Sequence, residues 1–387
     1  MVNAKFNFAA AGEIRFGCGR VAEAGAIAAA WGRKALVVAG RNPERARPII
    51  DSLKKAGVET SLFSVAGEPT VRSVAAGAAA AREAGAELVA GFGGGSALDA
   101  AKAIAVLAAN PGEPLDYLEV IGRGKPLQRP GLPCLAVPTT AGTGAEVTRN
   151  SVLASEEHRV KASLRSPLLL PRCAVVDPEL TRSLPPDQTA ACGMDALTQL
   201  IEAYLSRRAN PLTDALCTEA IPRTARALPR AFERGEDLHA RTEMSLAALF
   251  SGLALANAGL GAVHGVAGPF GGLFRAPHGA VCGALLPHVF RANLAAVRAR
   301  APGSPMTLRF DRIARWLVGD PEATAEDGAA WIEQLVRKLG LPPLRAYGCG
   351  PEDLPELAAK ARRASSMKAN PIELTDRELM GLLEAAL

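Results

Sequence analysis

Up to about residue 180, short apolar runs alternate with segments of helical period. KALVVAG at 34–40 reads as a buried strand ahead of a helix over 43–56. ETSLFSV at 59–65 reads as a second strand, followed by an alanine-rich helix over 71–84. ELVAGFGGGS at 87–96 is a strand running into glycines, with a helix over 97–109 behind it. PCLAVPTTAGTGAE at 133–146 is a strand running into a Gly/Thr loop, and CAVVDPEL at 173–180 is a final strand. Alternation of this kind predicts an α/β domain with a mostly parallel sheet and helices on its faces. From Pro185 onward the strand patterns stop. Helical periodicity covers 187–206, 210–228, 236–258, 262–272, 279–299, 305–318, 323–339, 352–362 and 374–386. The chain therefore divides into an α/β domain over 1–184 and an all-helical domain over 185–387, with the break near Leu184–Pro186.

A chain of 387 residues is long enough for two separate cores. Its hydrophobic content of 49% and charged content of 21% are those of an ordinary soluble globular protein. The net charge of +5 is spread among acids, and no basic run is interleaved with aromatics, which argues against nucleic acid as a partner. Seven scattered cysteines without a CxxC pair fit a reducing cytosol better than a disulfide framework. The N-terminal residues show no signal-peptide pattern, and no long uncharged apolar window suggests a membrane span. The expectation is a soluble, cytoplasmic protein.

Two glycine-rich turns carry candidate chemistry. In GFGGGSALDAAKAIA, three glycines and a serine lie between a strand and a helix. Glycine lets backbone N–H groups approach a phosphate closely, and the helix N-terminus adds positive potential. The spacing is neither GxGxxG nor GxxxxGK[ST]. A second turn, PTTAGTGAEVT at 138–148, also follows a strand, and open α/β sheets bind nucleotides at strand ends. In the second half, GMDALTQLIEAY sets Asp195 and Gln199 four apart on one helical face. His264 and His278, two of only five histidines, stand in a Gly/Pro-rich run. Each histidine alone reads equally as a hydrogen-bonded turn residue, and Asp195 as a helix cap. Together, Asp195, His264 and His278 would make a divalent-metal tripod.

These segments, with VVDPEL, resemble in order and spacing the iron-containing (group III) alcohol dehydrogenase family, which includes glycerol dehydrogenases and maleylacetate reductases. The resemblance implies an N-terminal dinucleotide-binding domain, a helical metal-binding domain and an active site in the cleft between them. It implies hydride exchange between NAD(P)(H) and a small alcohol, aldehyde or ketone, assisted by a divalent metal, iron or zinc. Gly94, Gly95 and Ser96 would hold the pyrophosphate, with Asp99 in the same region. Thr139, Thr140 and Thr143 would line the adenosine and ribose side. Lys161 matches a lysine near the nicotinamide ribose and is counted with Asp195, His264 and His278 as catalytic. Asp195, Gln199, His264 and His278 match the metal-ligand positions. A homodimer or larger assembly is also implied.

Two positions depart from the pattern, and a third bears on the choice of cofactor. Gln199 stands where a histidine ligand is usual, and a neutral amide is a weak donor for a transition metal. Gly268 stands where the family often places a histidine regarded as a proton relay. Gly40, followed by Arg41, stands where NAD-selecting members often place an acid, which favours NADP(H). Three alternatives therefore accompany the metal-dependent dehydrogenase. One is a metal-independent maleylacetate reductase type, with Arg275 on a substrate carboxylate. The second is a lyase of the dehydroquinate synthase type, and the third a non-catalytic cofactor-binding relative.

Overall fold

A computed structural model describes residues 5–158 and 160–387. The chain divides into two compact units, Ala9–Arg182 and Ser183–Leu387, the second also taking in residues 5–8.

The first unit runs β1 (Ile14–Phe16), α1 (Ala24–Ala29), β2 (Lys34–Gly40), α2 (Arg47–Lys55), β3 (Glu59–Val65), α3 (Val71–Glu83) and β4 (Leu88–Gly93). It continues through α4 (Gly95–Ala109), α5 (Pro114–Tyr117), β5 (Cys134–Pro138), β6 (Asn150–Ser155), β7 (Val160–Arg165) and β8 (Cys173–Val176). Among the described residues, six strands form a parallel sheet in the order β1-β8-β5-β4-β2-β3. Every residue of β4, β5 and β8 is buried, as strands covered on both faces must be. Alternation along β2 divides the core: Leu36 and Val38 join Val74 and Ile104 on one face, while Val37 joins Ile49 and Leu53 on the other. The apolar runs do not predict β1 or the antiparallel pair β6–β7. In β6, buried and half-buried residues alternate, with Ser151, Leu153 and Ser155 inward. Two of those three are serines, so the strand carries little hydrophobic signal.

Lys102, on α4, is fully buried and ties this unit together. Its Nζ donates to Ala145 O and Thr148 Oγ1, each at 2.9 Å, and to Asn150 O at 2.5 Å. Asp99 Oδ1 lies 2.9 Å from the same nitrogen. Burying an ammonium is costly unless it is both paired and hydrogen-bonded, and here all of its donors are used. Nearby Glu146 is buried, and desolvation pushes its pKa from 4.5 up to about 7. The folded state thus keeps this proton to about 7, whereas the unfolded chain releases it near 4.5. Stability attached to this group is present at acid pH and lost as pH rises through that window. Glu146→Gln should therefore leave stability nearly unchanged near pH 4 and raise it by roughly 3 kcal/mol near pH 8, measured by urea unfolding.

The second unit is helical throughout: α6 (Pro186–Leu205), α7 (Pro211–Glu233), α8 (Leu238–Ala258), α9 (Ala262–Leu273), α10 (His278–Arg300), α11 (Met306–Val318), α12 (Ala325–Lys338), α13 (Leu354–Arg363) and α14 (Asp376–Ala386). Helix α6 is central, packed by α7, α8 and α10. All its residues from Gly193 to Leu205 are buried, the mark of a helix surrounded by others. Helix α10 is long and apolar enough to cross a membrane, but 78% of its apolar window is buried within the protein, as a core helix is. Between α8 and α9 the chain bends by 99°, where Gly259 has φ +72°.

Candidate functional site

Three helices converge on one point in the second unit. Helix α6 supplies Asp195, α9 supplies His264, and the first two turns of α10 supply His278 and Cys282. His264 Nε2 lies 3.2 Å from Asp195 Oδ1, and His278 Nε2 lies 3.8 Å from the same oxygen. Cys282 Sγ stands 3.8 Å from His264 Nε2 and 3.6 Å from His278 Nε2. One nitrogen, oxygen or sulfur from each of the four falls within 4.8 Å of the others. Asp195, His264 and Cys282 are buried, whereas the His278 side chain is 36% exposed, so solvent reaches the cluster past His278. A carboxylate, two imidazoles and a thiol are all good donors for a divalent transition metal, and they fit such an ion.

Glu202 orients the cluster. It sits seven residues after Asp195, on the same face of α6. His264 Nδ1 donates to Glu202 Oε2 at 2.6 Å, and Val263 N donates to Glu202 Oε1 at 2.7 Å. With Nδ1–H committed to Glu202, Nε2 is the ring atom His264 turns toward the cluster. Such carboxylate–histidine pairs fix the tautomer and raise the basicity of a metal-ligating imidazole. Gln199 lies between the two acids along α6. Its Oε1 accepts from Ser251 Oγ at 2.8 Å, and its amide hydrogen-bonds the Asp195 carboxylate.

Electrostatics hold the cluster in its charged forms. Burial alone would raise the pKa of Asp195, but His264, His278 and the Gln199 amide outweigh it and keep the carboxyl below its ordinary value. Burial likewise opposes charge on His264, yet Cys282, Asp195 and Glu202 hold it well above its usual range. The Cys282 thiol is disfavoured as thiolate by burial, and the two imidazoles reverse that and lower its pKa.

Two glycines make the convergence possible. A Cβ at Gly279 would lie 2.0 Å from Ala191 O and 3.1 Å from Asp195 Cβ, so only glycine lets the start of α10 touch α6. A Cβ at Gly261 would lie 2.7 Å from Asn370 Oδ1 and 2.9 Å from Glu202 Oε1. Its absence allows the N-terminus of α9 to be capped by those side chains, Ala262 N donating to Asn370 Oδ1 at 3.0 Å. No Cβ at Gly268 would meet anything within 4 Å.

The glycine loops belong to the first unit. The chain reverses direction across the sheet between β2 and β4, the switch point where open α/β sheets bind ligands. Gly40 ends β2, and Gly93, with φ +151°, ends β4. Gly94 then caps α4, leaving the N–H groups of its first turn free of helical partners. The second loop is packed against the first. Thr139 N donates to Gly93 O at 2.9 Å, and a Cβ on Gly94 would lie 3.2 Å from Thr140 and one on Gly95 2.8 Å from Thr143. Ser96 is half-buried in the first turn of α4.

Other expected residues have partners of their own. Asp99 is engaged by Lys102 and by Val152 N at 3.0 Å, tying α4 to the β6–β7 hairpin. Lys161 lies on β7 with its Nζ 2.6 Å from Glu68 Oε1. Arg275 is exposed between α9 and α10, and Arg41 is exposed just after β2. Sequence reasoning passed over Glu202 and Cys282. Both stand at helical spacing from a residue it did name, i+7 from Asp195 and i+4 from His278.

The chain matches the iron-containing alcohol dehydrogenase family over residues 11–178 and the C-terminal part of that family over residues 189–387. It is 36% identical to the choline dehydrogenase of Bacillus subtilis (strain 168) over 374 residues, 94% of this chain and 90% of that protein. A crystal structure of a 1,3-propanediol oxidoreductase superposes with a TM-score of 0.92 at 34% identity, over 99% of this chain and 100% of that one. The sulfoacetaldehyde reductase of Bifidobacterium kashiwanohense, solved in complex with NAD+, superposes with a TM-score of 0.88 at 31% identity, over 99% of both chains. The two family matches together span both units, so this chain belongs to the iron-containing alcohol dehydrogenase family and is an oxidoreductase of the alcohol dehydrogenase class.

Proposed function

We propose that this chain exchanges hydride between a nicotinamide dinucleotide and a short-chain alcohol or aldehyde, with Asp195, His264 and His278 holding a divalent cation. The observation that carries this reading is the meeting of one carboxylate and two imidazole nitrogens from three helices, 3.2 and 3.8 Å apart. When bound, the cation supplies Lewis-acid polarisation of the substrate oxygen, and the nicotinamide supplies the hydride acceptor or donor. The protein supplies position and charge. Glu202 orients His264 through Nδ1, and His264 and His278, with a smaller share from the Gln199 amide, hold Asp195 in its carboxylate form. His278, on the exposed side of the cluster, is the ligand nearest to arriving substrate. The N–H groups at the start of α4 would receive the pyrophosphate, with Thr139, Thr140 and Thr143 along the neighbouring loop. Lys161 would stand near the nicotinamide ribose.

Choline, 1,3-propanediol and sulfoacetaldehyde, after which the three similar proteins are named, each carry a terminal alcohol or aldehyde on a short chain with a polar group at its far end. A substrate of that type is proposed here. For the cofactor, NADP(H) is the proposed preference, because Gly40 offers no carboxylate to repel a 2′-phosphate and Arg41 is free in solvent to meet it.

The deciding experiment is oxidation of NADPH and NADH with short polar aldehydes, before and after chelation. Activity is expected to vanish on metal removal, to return on adding a divalent cation, and to show a higher kcat/KM for NADPH. Full activity in metal-free protein would overturn the metal role, and maleylacetate turnover under those conditions would establish the metal-independent alternative. A clear NADH preference would end the proposed cofactor choice alone.

A further inference from the structure

Gln199 occupies the helical position from which a side chain could reach the cation, one turn after Asp195 on α6. Its one ligating atom, Oε1, instead accepts from Ser251 Oγ at 2.8 Å, and its amide is turned onto Asp195. That position thus serves the ligand Asp195. Helix α10 carries a donor of another kind near its start. Cys282 follows His278 by four residues, so both side chains leave α10 on one face. Its sulfur faces the Nε2 atoms of both histidines, at 3.6 and 3.8 Å. A core cysteine packs among carbon atoms, whereas this sulfur is flanked by two imidazole nitrogens with a carboxylate beside them.

We propose that Cys282 is a fourth ligand of the cation, so that the site is an Asp195–His264–His278–Cys282 set and takes zinc(II) in preference to iron(II). This rests on the proposal that Asp195, His264 and His278 hold a cation at all.

The distances carry the inference. A tetrahedral zinc ion with Zn–N and Zn–O near 2.0–2.1 Å and Zn–S near 2.3 Å requires N···O edges of about 3.3 Å and N···S edges of about 3.5 Å. The observed N···O separations are 3.2 and 3.8 Å, and the N···S separations 3.8 and 3.6 Å. Four independent edges therefore lie within about half an ångström of a zinc tetrahedron. A thiolate is the softest donor of the set and selects zinc over the harder ferrous ion. Binding releases to solvent the protons carried by the thiol and by the imidazole nitrogens that become ligands, and forms a sulfur–metal bond with no change of oxidation state. His278, the one member with substantial exposure, marks the side left accessible, where a catalytic zinc site expands to five ligands.

Cobalt(II) is the probe, because it replaces zinc and reports both geometry and sulfur ligation. Metal-free full-length protein titrated with cobalt(II) should develop tetrahedral d–d bands together with an intense thiolate-to-cobalt charge-transfer band in the near ultraviolet. Cys282→Ser should retain the d–d bands and lose the charge-transfer band. The same variant should bind zinc at least about tenfold more weakly, as replacement of even an outer-shell partner costs 10–100-fold in other sites. Wild-type protein loaded from an equimolar zinc(II) and iron(II) mixture under anaerobic conditions should carry zinc, and Cys282→Ser should carry a larger share of iron. Cobalt bound without a charge-transfer band, or a band that persists in Cys282→Ser, overturns the Cys282 assignment and leaves the three-ligand site standing. No cobalt binding by wild-type protein overturns the three-ligand reading, and the Cys282 proposal with it.

Discussion

Alanine at His264 is expected to reduce turnover at least about 10³-fold, equivalent to losing some 4 kcal/mol of transition-state stabilisation by a bound cation. The argument is local. His264 is the middle of a chain of contacts from Glu202 through the imidazole to Asp195, at 2.6 and 3.2 Å. Removing the ring takes away one donor atom and leaves two buried carboxylates facing a cavity. Unpaired buried charge is destabilising, so the thermal midpoint should fall as well. Measuring bound metal beside kcat/KM separates the two effects. A folded variant that has lost its metal and its activity is the expected outcome. A variant retaining a tenth or more of wild-type kcat/KM would refute the role assigned to His264. Glu202→Gln offers an internal scale: it keeps the shape and loses the carboxylate charge facing His264 Nδ1, and so should weaken metal binding by about 10–100-fold without unfolding the protein.

The second large effect concerns a residue with no chemistry of its own. Gly279→Ala adds a single methyl group that would sit 2.0 Å from Ala191 O, a backbone atom unable to yield cheaply. The start of α10 must then move away from α6, and His278 moves with it. Overpacking of this kind costs about 1–3 kcal/mol, and displacement of a reacting group by about 1 Å costs about 10²-fold in rate. Both a lower unfolding free energy and a hundredfold lower kcat are therefore expected. Gly268→Ala supplies the contrast. It lies in α9 with open space where the methyl would go, so its stability should stay within about 1 kcal/mol of wild type, on the favourable side by helix propensity. Equal destabilisation by the two substitutions would show that the α6–α10 approach does not position the cluster.

The sheet was legible in the sequence wherever a strand is buried on both faces, because such strands write unbroken apolar runs. LVAGFG of β4 and CLAVP of β5 are of this type. Strand β1 has three half-buried residues, and β6 points serines inward, so neither leaves such a run. At the four-residue cluster, Asp195, His264 and His278 were picked out by their chemical type and surrounding motifs, and the structure brings them together. Cys282 was hidden by a one-residue difference in a helix boundary. Periodicity began the helix at 279, whereas α10 begins at His278, directly after Pro277. With His278 inside the first turn, i+4 becomes a geometric relation and Cys282 joins its face. Glu202 was hidden differently: in GMDALTQLIEAY only Asp195 and Gln199 were singled out, and Glu202 gains its role from His264, 62 residues away on α9, which only tertiary structure brings to it.

The buried lysine of α4 has a consequence for how the cofactor is received. By fastening Ala145, Thr148 and Asn150 to the helix that follows Gly94, Lys102 makes the two loops and the hairpin one rigid body. On the proposed cofactor site, a nucleotide would then enter a receptor already shaped for it and spend little of its affinity on freezing chain motion. Amide hydrogen exchange across 138–150 should accordingly be slow before the nucleotide arrives and almost unchanged afterwards.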